Sequence, residues 1–158
     1  MFIIDGHNLL YAIRKVEEDS EEVSDVELCR TVGEYFKQIG GTGEIIFDGT
    51  GPPEKTGFEN IVGLEVSFAG LGTDTDTIIE GRISASSAPK GLTIVSTDRR
   101  LRKAAQVRKA TSVKSEIFWA GLQKHMSRKR PPKEPVEKRQ GVSESETKQW
   151  LEFFGLDQ

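Results

Sequence analysis

The sequence contains few residues of the types that build redox or zinc sites. Cys29 is the only cysteine among the 158 residues, and there are two histidines. A single thiol cannot form a disulfide within the chain, and the position of Cys29 in a helical pattern indicates a small buried residue in a reducing compartment. Because no cysteines and histidines cluster at zinc-ligand spacing, a structural zinc site is not expected either.

Long apolar runs and internal repeats are missing too. No stretch approaches the roughly 20 apolar residues that a membrane-spanning helix needs. The first residues also lack the basic segment, apolar segment and cleavage site that together form a secretory signal. We therefore expect a cytoplasmic protein, and a length of 158 residues is sufficient for one domain with its own core.

Charge is distributed unevenly along the chain, although the net charge is only -3. Residues 1–87 carry 6 basic and 17 acidic side chains, a net charge of -11, whereas residues 88–139 carry 15 basic and 4 acidic ones, a net charge of +11. Such a basic block is typical of a surface that faces a polyanion. A solvated helix face followed by a disordered linker is the alternative, and charge alone does not decide between the two.

Short apolar runs alternate with longer amphipathic segments over most of the chain. The runs predict strands at residues 2–5, 44–47, 64–68, 92–95 and 110–113. The amphipathic segments predict helices from about residue 8 and at residues 24–39, 75–86, 98–108 and 115–126. This alternation predicts a three-layer α/β sandwich, in which a mainly parallel central sheet is covered by helices on both faces.

Composition divides the chain into three parts. Residues 1–127 carry the alternating pattern and form the predicted domain. Residues 128–142 are rich in lysine, arginine and proline and predict a flexible basic linker. Residues 143–158 begin with a capping box and carry several aromatic side chains, which predicts a short amphipathic helix. That helix either packs on the domain or binds a partner.

Acidic residues stand where several of the predicted strands end. Asp5, Asp48 and Asp98 each follow an apolar run, and Asp76 opens the helical stretch after the third strand. The carboxyl ends of parallel strands meet at one edge of the sheet, where ligands bind. Carboxylates gathered there repel one another and stay ionised only if cations compensate them. A turn or a helix start explains each acid alone, whereas four together predict a divalent metal site.

The predicted chemistry follows from the ligand preferences of hard cations. Mg²⁺ and Mn²⁺ favour carboxylate and water oxygens, and Mg²⁺ also borrows ligands from substrate phosphates. We predict that Asp5, Asp48, Asp76 and Asp98 form the catalytic site and hold these ions directly or through water. The ions would then generate a hydroxide that attacks a phosphodiester bond.

Residues next to these acids extend the predicted site. Asn8 either caps the first helix or holds a substrate phosphate, and the hydroxyl of either Ser96 or Thr97 is placed to support Asp98. The pattern leaves open whether Asp74 or Glu80 takes part. The residues predicted to contact substrate are Asn8, Ser96, Arg99, Arg100, Arg102 and Lys103.

Four segments together resemble the YacP-like NYN domain family of the PIN-like nuclease superfamily. They are MFIIDGHNLL at residues 1–10, IIFDG at 45–49, TDTIIE at 75–80 and VSTDRRL at 95–101. The resemblance covers roughly residues 1–125. It implies a PIN-like α/β sandwich and a metal-dependent endoribonuclease activity.

The resemblance also implies which acids bind the metal. It assigns the ligands to Asp5, Asp76 and Asp98, with Asp48 near the site and Asn8 beside it. Many relatives have paired acids at the third motif, whereas here Thr77 follows Asp76 and the additional acid precedes it. The ligands of a second ion are therefore left open.

Three functions fit the sequence. The first is an endoribonuclease that uses Mg²⁺ or Mn²⁺ and acts on free or ribosome-associated RNA. The second is a non-catalytic RNA- or ribosome-binding module of the same fold. The third is a metal-dependent phosphatase for a small phosphate ester, which the sequence disfavours because the first strand lacks an Asp-x-Asp pair and a basic block offers nothing to a small substrate.

Overall fold

The computed structural model describes residues 1–17 and 23–128. Nearly all of the predicted linker and the whole of the predicted C-terminal helix lie outside these residues. Five strands form one fully parallel sheet with the order β3-β2-β1-β4-β5. The strands are β1 (Phe2–Asp5), β2 (Gly43–Phe47), β3 (Leu64–Phe68), β4 (Thr93–Val95) and β5 (Thr111–Val113).

Five α-helices connect and cover these strands in the described part of the chain. They are α1 (Gly6–Val16), α2 (Asp25–Ile39), α3 (Thr75–Ala85), α4 (Arg99–Val107) and α5 (Ser115–Arg128). Short 3₁₀ turns occur at Thr56–Phe58 and Pro89–Gly91. None of the helices in residues 1–17 and 23–128 has both the length and the hydropathy needed to cross a lipid bilayer.

The helices lie on both faces of the sheet, which confirms the predicted three-layer sandwich. One apolar cluster joins Phe2 and Ile4 of β1 to α1, α2 and α5. The other joins Ile3 of β1 to α3 and α4. This division follows from the strand pleat, which directs alternate side chains to opposite faces. Phe118 and Trp119 of α5 belong to the first core cluster.

The termini of α2 follow the sequence signals, whereas the start of α1 does not. Ser24 caps α2 by accepting a hydrogen bond from the Glu27 backbone N–H at 3.1 Å. Helix α1 begins at Gly6 instead of about residue 8, and the Asn8 side chain does not cap it. A Cβ atom at Gly6 would lie 2.5 Å from the Phe47 ring, so only glycine allows the first turn of α1 to pack this closely on β2.

The strand order places a crevice at one end of the sheet. The chain runs outward from β1 through β2 to β3, then returns to β4 on the other side of β1. Connections therefore leave the carboxyl ends of β1 and β4 in opposite directions, and such a switch point is where open α/β sheets bind ligands.

An ion pair between a buried glutamate and a half-exposed arginine fixes α3 to the sheet. Glu44 of β2 is buried, and its two carboxylate oxygens accept hydrogen bonds from the Arg82 guanidinium of α3 at 2.9 and 3.1 Å. The Ser67 hydroxyl donates a third hydrogen bond at 2.7 Å. Burial opposes ionisation of Glu44, but the hydrogen bonds from Arg82 and Ser67 outweigh it and lower its pKa.

Replacing Arg82 with alanine should therefore destabilise the protein. The substitution leaves a buried carboxylate without its partner, but the Arg82 side chain is half-exposed, so we expect a loss of about 1–2 kcal/mol in the free energy of unfolding. A carboxylate with a lowered pKa stabilises the fold above its unfolded pKa, and this contribution is lost as the pH falls. The loss should shrink below pH 4.5, the ordinary value for Glu44. Urea unfolding at several pH values tests this, with Arg30→Ala on α2 as the control.

Candidate active site

Asp5 lies at the carboxyl end of β1, where the sheet opens into the crevice. Asp5 is only 6% exposed, and its Oδ2 accepts a hydrogen bond from the Ser96 hydroxyl at 3.2 Å. Burial raises the pKa of Asp5 to about 6, against the lowering effect of hydrogen bonds from Ser96 and the Asn8 backbone; the charges of Asp48 and Asp98 raise it further. Asp5 is thus held in an environment that penalises its negative charge.

Asp98 and Asp76 lie at the N-terminal ends of α4 and α3, the two helices that pack on the same face of the sheet. Asp98 caps α4 by accepting from the Arg100 backbone N–H at 2.8 Å, and its own N–H donates to Ser96 Oγ at 3.0 Å. Asp76 lies in the first turn of α3. Its pKa is raised to about 7 by burial and by its hydrogen bond with Asp98, with further increases from the charges of Asp98 and Asp5. The structure thus brings Asp5, Asp76 and Asp98 together.

The electrostatics of these three acids fit a cation. Within residues 1–17 and 23–128, no three potential ligand side chains are close enough to enclose a metal ion as they stand. However, Asp5 and Asp76 both hold protons more tightly than usual because burial and neighbouring negative charges disfavour ionisation. A divalent cation would remove that cost. Asp5, Asp76 and Asp98 are the residues that would hold it.

Asp48 lies at the rim of the crevice. Its Oδ1 accepts hydrogen bonds from the Thr75 backbone N–H and hydroxyl at 3.0 and 2.7 Å. These bonds lower the pKa of Asp48, so this carboxylate stays ionised. Its Oδ2 lies 3.7 Å from Nδ1 of His7, which also accepts a hydrogen bond from the Asp48 backbone N–H at 3.2 Å. Asp48 therefore ties the end of β2 to the start of α3.

Asn8 connects three elements behind the acids. Its side-chain oxygen accepts hydrogen bonds from the Thr97 backbone N–H at 2.9 Å and from the Ser115 hydroxyl at 2.6 Å. The Thr97 hydroxyl in turn donates to Glu116 of α5 at 2.9 Å. Asn8 thus fixes the loop between β4 and α4, which carries Ser96 and Asp98.

Asp74 and Glu80, whose participation the sequence left open, have partners in the structure. Asp74 is the cap of α3 and accepts a hydrogen bond from the Thr77 backbone N–H at 2.8 Å. Glu80 accepts two hydrogen bonds from the Arg100 guanidinium, at 2.6 and 2.9 Å. The same guanidinium lies 3.9 Å from Asp76.

The other predicted substrate contacts occupy two different places. Ser96 is fully buried between Asp5 and Asp98. Arg99, Arg102 and Lys103 line a separate cavity along α4. The acids and the basic side chains therefore form adjacent but distinct parts of the surface.

Three residues that support the site were not singled out from the sequence. Thr75 positions Asp48, Ser115 positions the loop around Thr97 through Asn8, and Glu116 accepts a hydrogen bond from the Thr97 hydroxyl directly. The available signal is that Thr75 and Ser115 are hydroxyl residues at the starts of α3 and α5. Such positions ordinarily indicate helix capping, so the sequence does not distinguish these roles.

A doubly wound parallel sheet with gathered aspartates at its carboxyl edge defines an α/β-sandwich protein with an acidic site. The family model of the YacP-like NYN domain matches residues 2–152, and the chain belongs to this nuclease-like family. The match continues beyond residue 125, where the resemblance of the sequence motifs ends. No curated protein matches the chain.

Two solved structures have the same fold. Both are crystal structures of Rae1 (YacP) from Bacillus subtilis, one of them a tryptophan-to-leucine variant. The variant is 16% identical with a TM-score of 0.61, and the match covers 97% of this chain and 91% of that chain. The second is 17% identical with a TM-score of 0.65, and the match covers 96% of this chain and 85% of that chain. At this identity the similarity shows the shared fold.

Proposed function

We propose that the protein is an endoribonuclease that cleaves RNA with Mg²⁺ or Mn²⁺ held by Asp5, Asp76 and Asp98. The observation that supports this most directly is the convergence of these three acids at the carboxyl ends of β1 and β4, with raised pKa values for Asp5 and Asp76. Carboxylates arranged at such energetic cost are a feature of functional sites. Membership of a nuclease-like family makes hydrolysis of a phosphodiester bond the reaction that fits.

In the proposed reaction, the residues around the acids have separate roles. A bound ion would supply a hydroxide nucleophile near neutral pH and charge stabilisation for the leaving oxygen. Ser96 holds Asp5 and the backbone of Asp98 at a fixed separation. Asp48 keeps its negative charge at the rim and attracts cations, but its lowered pKa makes it a weak proton acceptor.

Arg100 supplies positive charge beside the acids. Its guanidinium is held by Glu80 and lies 3.9 Å from Asp76, where it lowers the pKa of Asp76 against the effects that raise it. We propose that Arg100 limits the repulsion among the acids before an ion binds. The remaining basic side chains of α4 are then the ones available to RNA.

The proposed substrate is RNA, either free or associated with ribosomes in the cytoplasm. The basic block of residues 88–139, with a net charge of +11, supports a polyanionic partner. The same block supports a second function, a non-catalytic RNA- or ribosome-binding module, because binding needs only the positive charge.

Cleavage of labelled RNA and DNA in Mn²⁺, Mg²⁺ or EDTA separates these functions. An endoribonuclease should cut RNA at internal positions with either ion, leave DNA intact and do nothing in EDTA. Ribosome-bound RNA should be included, since a substrate presented by the ribosome would escape detection with free RNA alone. Binding of RNA without cleavage of any substrate would contradict the nuclease proposal and favour the binding module, whereas cleavage in EDTA would contradict the role of the metal.

A further inference from the structure

A second cavity lies between α4 and the edge strand β5, outside the acid crevice. Its volume is about 530 Å³, which lies in the range of ligand pockets. The residues that line it, which we call the α4–β5 pocket, are Arg99, Arg102, Lys103, Gln106, Ala110 and Ser112. The four helical residues are spaced by three, one and three positions, so they share one face of α4.

Among the described residues, the basic side chains of this pocket have no partners, in contrast to three other arginines. Arg82 and Arg100 are paired with glutamates, and Arg108 donates to a backbone carbonyl. Within the described ranges, the side chains of Arg99, Arg102 and Lys103 form no hydrogen bond or ion pair.

The residues that line the pocket also leave two buried polar atoms unsatisfied within the described part of the chain. Nε of Arg102 and Oγ of Ser112 are buried, and in the described part of the chain neither has a hydrogen-bond partner. A buried polar group without a partner costs free energy, and no acidic residue lines the pocket to compensate the cations. An anion with several acceptor oxygens would compensate the three unpaired cations.

We propose that the α4–β5 pocket binds a phosphate group of the RNA strand, away from the bond that is cut; this rests on the proposed function. Arginine forms paired hydrogen bonds with phosphate oxygens. Asp98 directly precedes Arg99. Gln106 lies eight residues after Asp98, which corresponds to about 12 Å along the helix axis. A strand with one phosphate at the acids therefore reaches the pocket along α4. The pocket holds the strand in position while the acids carry out cleavage.

Binding of RNA without cleavage tests the pocket independently of the reaction. The full chain would be titrated in EDTA against a labelled single-stranded RNA of about ten nucleotides, with fluorescence anisotropy as the readout. The double variant Arg99→Ala, Lys103→Ala is compared with Arg30→Ala, Lys37→Ala on α2. Both pairs remove two positive charges from exposed helical positions, but the second pair lies on the opposite face of the sheet. Circular dichroism verifies that both variants are folded.

We expect the pocket variant to lose roughly tenfold in affinity, while the α2 variant stays near wild type. The slope of log K against log salt should also decrease by about 1.4 for two lost phosphate contacts on a single strand. An equal loss in both variants, or none in either, would overturn the proposal. Comparing 5′-phosphorylated with 5′-hydroxyl RNA identifies the source of the phosphate: an internal phosphate predicts the same loss for both, and a terminal one predicts a loss confined to the phosphorylated strand.

The two proposals fail in different ways. If wild type cleaves RNA with metal but the pocket variant binds normally in EDTA, the pocket proposal is wrong and the nuclease proposal stands. If RNA binding depends on the pocket but no substrate is cleaved, the nuclease proposal is wrong and the pocket belongs to a binding module.

Discussion

Asp5→Asn should abolish RNA cleavage and at the same time stabilise the metal-free protein. Asparagine keeps the size and the acceptor oxygen that Ser96 contacts, but it removes the charge that would hold the metal. We expect cleavage to fall by more than about 100-fold, beyond the roughly 10- to 100-fold loss that is usual for residues that only orient metal ligands. Asp98→Asn should cause a comparable loss.

The gain in stability follows from the raised pKa of Asp5. The fold raises this pKa from 3.8 to about 6, so the folded state loses stability relative to the unfolded state as the pH rises through this window. Above pH 6 the wild type carries the full cost, which is at most about 3 kcal/mol, and the asparagine variant carries none. Thermal unfolding in EDTA should therefore show a higher midpoint for the variant at pH 7.5 and a smaller difference at pH 4.

Two further variants make this result specific. Glu34→Gln removes a carboxylate from the exposed surface of α2 and should leave both cleavage and stability unchanged. Ser96→Ala removes the hydroxyl that joins Asp5 to the Asp98 backbone, so it should reduce cleavage by about 10- to 100-fold. An Asp5→Asn protein that is less stable than wild type, or that cleaves normally, would contradict the role we assign to Asp5.

Metal affinity should depend steeply on pH. The carboxyls that would bind the ion must lose their protons first, and the pKa values of Asp76 and Asp5 are raised to about 7 and about 6. Lowering the pH from 8 to 5.5 protonates both carboxyls in the metal-free protein. We expect the apparent affinity for Mn²⁺ to decrease on the order of 100-fold over this interval.

Calorimetric titration with Mn²⁺ tests this directly. At pH 6 the binding should release protons, which is measured by comparing buffers of different ionisation enthalpy. Asp76→Asn should bind more weakly and show a much smaller dependence on pH between 6 and 8, because the carboxyl with a pKa of about 7 is gone. An affinity that is constant from pH 5.5 to 8 would show that these carboxyls do not hold the ion.

Much of the fold could be predicted because it is encoded by neighbouring residues. Apolar runs of four to five residues fix the strands, and the predicted bounds differ from the observed ones by at most about two residues at most ends. Ser24 with Glu27 is a local capping pattern, and it marks the start of α2 correctly. The position of acids directly after strands is equally local, and the parallel order of the strands was enough to bring Asp5, Asp76 and Asp98 together.

The partners of individual polar side chains could not be predicted in this way. Asn8 follows a strand and could cap a helix, but its oxygen bonds with Ser115, 107 residues away. From the sequence, Glu44 is a polar residue at the start of a predicted strand. Only the packing of α3 on β2 brings it into contact with Arg82, 38 residues away. These pairings depend on how the helices pack on the sheet, and no local sequence pattern predicts that packing.

The basic residues of α4 show most clearly the difference between what the sequence predicts and what the packing decides. The sequence alone determines that Arg99, Arg100, Arg102 and Lys103 lie on one helix next to Asp98, because charge, periodicity and the end of β4 are properties of adjacent residues. Only the tertiary structure decides that Arg100 faces α3 and pairs with Glu80, whereas the other three face β5 and stay unpaired. The reason is physical: the packing of α4 against its two neighbours sets the rotation of the helix, and that rotation gives four similar cations different partners.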